Sequence, residues 1–332
     1  MTKEIVTFDI DSKALAIDGL AEALYWIKNN QDKKSSHHVV IKRILEGEVH
    51  FLIKDEFLTK LVELLQHWQG GEITLAMADV NLSENIKKWL EGTRTGLTIN
   101  TVTDPLSLLH RTRSYMSNKS IKQPKYYNSK IKKFICLNGA AKPHRAKMVN
   151  DLYHAEYDQD GYISWLNRYG KIHSKYFTNE RFTGEDLILD FDNKSIDKDV
   201  NQEILPLNYH YAGFEIVNES IVSDTSVFLT EKIWKPILYK KFFIVHGCKN
   251  TMKYLTDLGF EPYSELYDLD FDLLDYTQRY ESLWKEIHKL MRMSPKDWED
   301  VYNDSNMKKK LDHNSTLFRN IEIQTWTSQV YG

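Results

Sequence analysis

The sequence predicts an α/β protein made of two Rossmann-like domains facing a cleft. Two observations carry that expectation. Short apolar runs of strand length alternate with amphipathic stretches of helix length, and a polar, lysine-rich stretch divides the alternation into two series. The length of 332 residues suits two cores better than one.

In the first series, Ile5-Val6-Thr7-Phe8 reads as a strand and residues 13–29 as an amphipathic helix. Val39-Val40-Ile41 is a second strand, with residues 49–53 a further candidate. Leu58, Leu61, Val62, Leu64 and Leu65 recur at helical spacing, Gly70-Gly71 ends that helix, and residues 72–77 form a buried strand. Residues 114–130 have no strong apolar period and read as a connector.

The second series opens with Phe134-Ile135-Cys136-Leu137. Strands are expected at residues 187–189, 214–217 and 242–245, and helices at 144–152, 232–239 and 251–258. A last helix at 314–330 is expected to return to the first domain. The domain expectation is therefore 1–125 and 126–312, with 313–332 as the returning segment. Open sheets of this kind bind ligands at the carboxyl ends of their strands.

Composition narrows the classes. Cys136 and Cys248 are the only cysteines, with no CxxC or Cys/His spacing, so two buried thiols in a reducing cytoplasm are expected. The first twelve residues include Lys3, Glu4, Asp9 and Asp11 and lack the apolar core of a signal peptide. Apolar runs such as residues 242–245 are far too short to span a bilayer, so no membrane partner is expected. The net charge is −3, yet no acidic residue lies between Asp104 and Asp151. That interval holds Arg111, Arg113, Lys119, Lys122, Lys125, Lys130, Lys132, Lys133, Lys142, Arg145 and Lys147. Such a block reads either as a solvated linker or as a docking site for a polyanion.

Residues 214–247 concentrate the chemistry. A strand ends at Val217-Asn218-Glu219, a Ser/Thr-rich loop follows, and a helix opens at Thr230-Glu231-Lys232. The hydroxyl suits a cap, and the carboxylate sits near the positive end of the helix dipole. Backbone donors at such a start can also hold a phosphate. By these residues alone, an ordinary N-capped core helix, with Glu231 and Lys232 serving only solubility, is the favoured account of the segment.

Phe214, Glu215, Ile216, Asn218, Glu219, Ser220, Thr230, Glu231 and Lys232 give this segment a resemblance to the donor-binding region of the α-1,3-fucosyltransferase family. The resemblance implies a GT-B-like glycosyltransferase in which Glu231 and Lys232 contact the ribose and phosphates of a nucleotide-diphosphate sugar. It also implies donor contacts for Asn218, Glu219 and Thr230. The continuation Trp234-Lys235-Pro236 followed by residues 242–247 is similar to transferase-like proteins of phages and departs from the fucosyltransferases. The departure leaves the sugar open. Residues 134–149 add a strand, a small-residue turn with Asn138-Gly139-Ala140-Ala141, and a helix bearing His144 and Arg145. Small residues let a ligand approach the backbone, and an arginine there can grip a diphosphate in two places. The resemblance assigns Arg145 that role, with Asn138 beside it.

No convincing Asp-x-Asp metal motif is present: Asp268, Asp270 and Asp272 read as a solvated acidic stretch, so no metal or other cofactor is expected. A general base for the acceptor hydroxyl is sought in the first domain at a strand's carboxyl end. Asp79 is the first choice and Asp9 the second, although a cap or turn role is the favoured account of each taken singly. Phage enzymes of this type suggest hydroxymethylated pyrimidine in double-stranded DNA as acceptor, with Arg111, Arg113, Lys119, Lys122 and Lys125 on the phosphates. A surface polysaccharide or glycan acceptor, or a silent binding protein of the same fold, are the alternatives.

Overall fold

Two four-stranded parallel sheets underlie the alternation. The computed structural model describes residues 3–9, 16–43, 55–77, 82–92, 99–103, 132–139, 141–165, 187, 209, 211–225 and 227–321. These residues divide into two compact units, each holding one sheet.

The first unit runs β1 (Glu4–Asp9), α1 (Ala16–Asn29), β2 (His37–Arg43), α2 (Asp55–His67), β3 (Glu72–Met77), α3 (Leu82–Gly92) and β4 (Asn100–Thr103). Its strands lie in chain order, β1-β2-β3-β4, all parallel. Val39, Val40 and Ile41 are fully buried in succession, as expected of a parallel strand covered on both faces. Leu20, Ala23 and Ile27 of α1 and Leu58, Leu61 and Leu65 of α2 form apolar stripes at helical spacing. The two helices meet through Trp26 on Trp68, with ring centroids 5.7 Å apart, and a Lys28–Glu63 ion pair at 2.8 Å.

The second unit runs β5 (Lys132–Cys136), α4 (Pro143–His154), β6 (Gly161–Ile163), β7 (Ala212–Asn218), α5 (Glu231–Leu238) and β8 (Phe242–His246). Four helices follow: α6 (Thr251–Asp257), α7 (Tyr276–Met291), α8 (Pro295–Asn303) and α9 (Ser305–Asn320). Sheet order is β6-β5-β7-β8, again all parallel. The chain therefore steps from β5 outward to β6 and then crosses back to place β7 on the other side of β5. Every residue of β7 and β8 is buried. Phe214 stacks on Trp298 of α8 with centroids 5.3 Å apart, and Tyr302 ties the two strands by donating to Gly213 O at 2.8 Å and accepting from Phe242 N at 3.2 Å.

Several elements differ from the sequence reading. The last helix begins at Ser305, where Asp304 caps it by accepting from Asn306 N and Met307 N at 2.9 Å each. Lysines 308–310 hid that start, since they are good helix formers without an apolar period. Within the second unit α9 fastens to α5: Phe318 meets Trp234 at 6.0 Å and Ser315 Oγ donates to Leu238 O at 3.1 Å. Residues 49–53, the connector 114–130 and the end 322–332 lie outside the described residues. Of the expected strand 187–189 only Leu187 is described, in an antiparallel bridge to Trp165. Asp268 and Asp270 are exposed as expected, but Asp272 is buried and caps α6, accepting from Met252 N at 3.0 Å and Lys253 N at 2.9 Å. Both cysteines are buried, and neither forms a disulfide.

A buried charged cluster lies along β7. Glu215 accepts from Tyr209 Oη, Lys241 Nζ donates to Ala212 O at 2.6 Å over the Tyr209 ring, and Lys235 is buried with them. Burial pushes Glu215 up to about 7 and Lys241 down to about 7.

Two stability predictions follow from this packing. A Cβ on Gly213 would stand 2.8 Å from Lys133 O and from Trp298 Cγ. Gly213→Ala is expected to cost about 1–3 kcal/mol by overpacking, read from the urea midpoint. Glu215 holds its proton in the folded chain up to about 7 but in the unfolded chain only up to 4.5, so its contribution to stability falls as pH rises across that window. Glu215→Gln removes this loss, so the variant should gain on the native protein between pH 4.5 and about 7. Parallel denaturation curves with a constant difference would refute the assignment.

Candidate functional site

In the second sheet the strand order reverses between β5 and β7. At such a switch point the loops leaving two neighbouring strands diverge to opposite sides, opening a crevice at the carboxyl ends. The turn after β5 carries Asn138 and Lys142 and leads into α4, with His144 and Arg145 in its first turn. The turn after β7 carries Asn218, Glu219 and Ser220 and leads by residues 221–229 to Thr230 and α5. The seven donor-site residues read from the sequence, Asn138, Arg145, Asn218, Glu219, Thr230, Glu231 and Lys232, therefore all belong to these two turns and the helices they start.

Glu219 joins the pieces. It is fully buried, and its N–H extends the β7–β8 ladder by donating to His246 O at 3.0 Å. Its carbonyl accepts from His144 Nε2 at 2.9 Å and from Arg145 Nε and Nη2 at 3.3 and 3.2 Å. Its carboxylate accepts from Ser220 N and Thr230 N at 3.1 Å each, and from Thr230 Oγ1. Burial raises its pKa, opposed by Lys232 and by the Thr230 hydrogen bonds. Gly247 makes room: a Cβ there would lie 3.3 Å from Glu219 Cβ. The carboxylate is thus spent on the fold, holding the start of α5 against the end of β7.

Three cationic side chains converge on Ser220. Lys142 Nζ donates to Ser220 O at 2.8 Å, Arg145 Nη2 to Ser220 Oγ at 3.4 Å, and Lys232 Nζ to Ser220 Oγ at 3.1 Å. Lys232 Nζ also donates to Glu231 Oε1 at 2.7 Å and Thr230 Oγ1 at 3.4 Å. Thr230 caps α5 through Lys232 N, as its hydroxyl predicts. Arg145 and Ser220 are buried, while Lys142 and Lys232 are half-buried. Charges held in this low-dielectric setting act on an anion more strongly than surface lysines do.

Behind them runs a neutral polar chain. Ser164 O accepts from Asn138 Nδ2 at 3.1 Å, Asn138 Oδ1 from Asn218 Nδ2 at 3.0 Å, and Asn218 Oδ1 lies 3.0 Å from His246 Nδ1. An amide oxygen only accepts, so His246 carries its proton on Nδ1, and Nε2 accepts from Tyr276 Oη at 3.4 Å. Burial, with Arg279, Lys147 and Arg145 nearby, lowers His246 to about 3; burial likewise holds His144 well below its usual range. Burial thus favours the neutral form of both imidazoles. Cys136 Sγ accepts from both Asn amides, at 3.4 and 3.3 Å, and burial pushes its thiol up to about 12.

Arg279 of α7 pins the loop after β7, donating from Nη1 to Asp224 Oδ1 at 2.8 Å and from Nη2 to Ser223 O at 3.3 Å. Sequence reasoning did not find His246, Tyr276, Arg279 or the role of Ser220. A histidine closing an apolar strand before Gly247 was the one available signal. Of the basic block, Lys142 and Arg145 reach the site. Lys133 instead pairs with Asp160 at 2.8 Å, and Lys147 with Asp151 at 3.0 Å. Asp9 closes β1 at its carboxyl end. Asp79, Arg111, Arg113, Lys119, Lys122 and Lys125 lie outside the described residues. Among the described residues no group of three or more His, Cys, Asp or Glu is placed to hold a metal ion, and no helix is long and apolar enough to cross a membrane.

No family model, curated protein or solved structure matches the chain. Its chemistry is therefore read from its own geometry: fixed cations around a hydroxyl, at the carboxyl end of a switch point, with one carboxylate turned inward and another on the cations.

The hub can be tested apart from any ligand. Glu219→Ala strands three buried donors and should lower the unfolding free energy by about 3–5 kcal/mol. Glu219→Gln keeps one acceptor oxygen and should cost roughly half as much. Equal, small losses in denaturant titrations would remove Glu219 from this role.

Proposed function

We propose that the chain is a nucleotide-sugar-dependent glycosyltransferase of GT-B-like architecture whose second α/β unit binds the donor. The observation that carries this reading is the convergence of Lys142, Arg145 and Lys232 on Ser220 at the switch point, with Glu231 alongside. A diphosphate needs clustered donors of fixed geometry, which a guanidinium, two ammonium groups and a helix start supply. A ribose needs a carboxylate to accept from its hydroxyls, and Glu231 is the one adjacent. Asn138 and Asn218 keep the two turns in register from behind, and Glu219 with Thr230 sets the start of α5.

In the reaction the bond between the sugar's anomeric carbon and the diphosphate oxygen breaks, and the nucleotide diphosphate leaves with the electron pair. Lys142, Arg145 and Lys232 take up the charge that develops on it, a stabilisation that grows as the bond breaks. The acceptor hydroxyl attacks the anomeric carbon and gives its proton to a general base, for which Asp79 comes first and Asp9 second. Cation chemistry of this kind leaves the diphosphate without need of a metal.

For the acceptor we propose a hydroxymethylated pyrimidine in double-stranded DNA, with Arg111, Arg113, Lys119, Lys122 and Lys125 on phosphates. The basic interval of the sequence supports this acceptor, and on the same reading the enzyme works in the cytoplasm, where sugar nucleotide and DNA are both at hand.

The test is a thermal-shift screen of nucleoside diphosphates and their sugars, with and without hydroxymethylated DNA. A ligand that binds only the folded state at 100 times its Kd stabilises by about 2.7 kcal/mol. One nucleotide should raise the Tm, and Glu231→Ala and Lys232→Ala should each weaken it by at least about tenfold, or about 1.4 kcal/mol. Wild-type affinity in both variants would sink the site, and no shift with any nucleotide would sink the function. DNA binding should weaken with salt at a slope near 0.9 per phosphate neutralised; a flat response would leave a glycan as the acceptor.

A further inference from the structure

Tyr276, Tyr280, Trp284 and His288 follow one another at i, i+4 spacing and so line one face of α7. Tyr280 stacks on Trp284 with planes 8° apart and centroids 6.4 Å apart, and Trp284 meets His288 edge-on at 5.1 Å. Tyr157, in the turn after α4, closes the outer end, its ring 6.5 Å from Trp284 and 5.5 Å from His288. At the inner end His246, the last residue of β8, lies 5.0 Å from Tyr280. The ladder therefore runs from buried rings at the strand ends, Tyr280 and His246, to the half-buried rings of Trp284, His288 and Tyr157.

The two phenols of this ladder hold their protons differently. Tyr157 Oη lies 2.5 Å from His288 Nδ1. With its ring proton on Nε2, that imidazole accepts from the phenol and is a base able to take the proton outright. Tyr280 Oη donates instead to Asp151 Oδ2 at 2.7 Å, on a carboxylate that also pairs with Lys147 at 3.0 Å. A carboxylate is a weaker base than an imidazole. Burial, with Asp151 beside it, pushes the Tyr280 phenol well above its usual range, so its proton stays in place. The Lys147 ammonium stands 4.7 Å from the centre of the Tyr280 ring, where its charge opposes loss of an electron from that ring. The inner phenol keeps its proton, and the outer one has a base to receive it.

We infer that Trp284, Tyr157 and His288 form a one-electron relay that moves an oxidising equivalent outward and leaves it on Tyr157. Its substrate class is a one-electron oxidant, which takes an electron from the Trp284 indole and is itself reduced. Tyr157 then gives an electron to the indole cation and its hydroxyl proton to His288 Nδ1. Trp284 is restored, and a neutral tyrosyl radical faces an imidazolium. A thiolate closes the cycle by giving Tyr157 an electron and leaving as a thiyl radical, while the proton returns from His288. The electron vacancy thus ends at a half-buried ring and not beside His246, under the strand ends. This activity stands apart from the donor-site reading and does not depend on it.

The experiment is pulse radiolysis of the full chain with azide radicals, which take one electron from indole rings. Indolyl absorption should convert to tyrosyl absorption in a phase that is first order and unchanged by protein concentration. Trp284→Phe and Tyr157→Phe should each lose that phase, and His288→Gln should slow it. Circular dichroism matching the native chain in all three variants ties these losses to the relay and not to unfolding. Heavy water should slow the phase in the native chain, a reading of the proton transfer that needs no variant. Persistence of the phase in Tyr157→Phe, or indolyl decay without tyrosyl growth in the native chain, overturns the relay. A native phase indifferent to heavy water overturns the part given to His288.

Discussion

The second unit depends on the burial of one carboxylate. Glu219 sits where a strand ends, a loop begins and two helices start, a place crowded with backbone donors that water does not reach. An unpaired donor there would cost on the order of 1–3 kcal/mol, and Glu219 answers three of them while its own N–H and carbonyl answer β8 and α4. Take it away and the start of α5 loses its bearing on β7. The approach of Lys232 to Ser220 follows from that bearing. Charge within the fold is here an instrument of position, and its desolvation cost is offset by hydrogen bonds rather than by a single counter-ion.

Topology decides why the two sheets differ in promise. In the first, each strand is laid beside its predecessor in one direction, and the described residues hold no reversal. In the second, β5 is flanked by β6 and β7, so the strand order reverses between β5 and β7. The same polypeptide chemistry thus yields a switch point in one unit and, within the described residues, a plain progression in the other. The neutral chain from Ser164 to Tyr276 links the strand ends on either side of this reversal by hydrogen bonds alone. The lysines and the arginine gather instead on Ser220.

Much of the scaffold was legible as apolar runs, because parallel strands buried on both faces read as continuous Val, Ile and Phe. β6 was not, since Gly-Tyr-Ile is too short and too mixed to register. Neither were α7 and α8, although Tyr276, Tyr280, Leu283, Ile287 and Leu290 fall on one buried stripe and Ser294 with Asp297 forms a capping box. At the site, Thr230-Glu231-Lys232 announced a helix start and Asn218-Glu219 a turn. What sequence could not separate was Glu219 from Glu231. Both are acidic residues beside polar loops, one just after a strand and the other opening a helix; one faces the fold and the other the cations, and the difference depends on where β8 and α4 come to lie. His246 was hidden for the same reason, since its partners Asn218 and Tyr276 are set by strand order and by a helix thirty residues on.

Cys136 lies under this site with its sulfur turned to two side-chain amides and its thiol pushed up to about 12. A thiol that keeps its proton is neither a nucleophile nor a ready substrate for peroxide. Cys248, the other cysteine, is also buried. Burial shuts both thiols away from solvent. The amides of Asn138 and Asn218 that rest on the Cys136 sulfur therefore sit on an atom that outside reagents do not reach, and the tie between the ends of β5 and β7 is insulated from thiol chemistry.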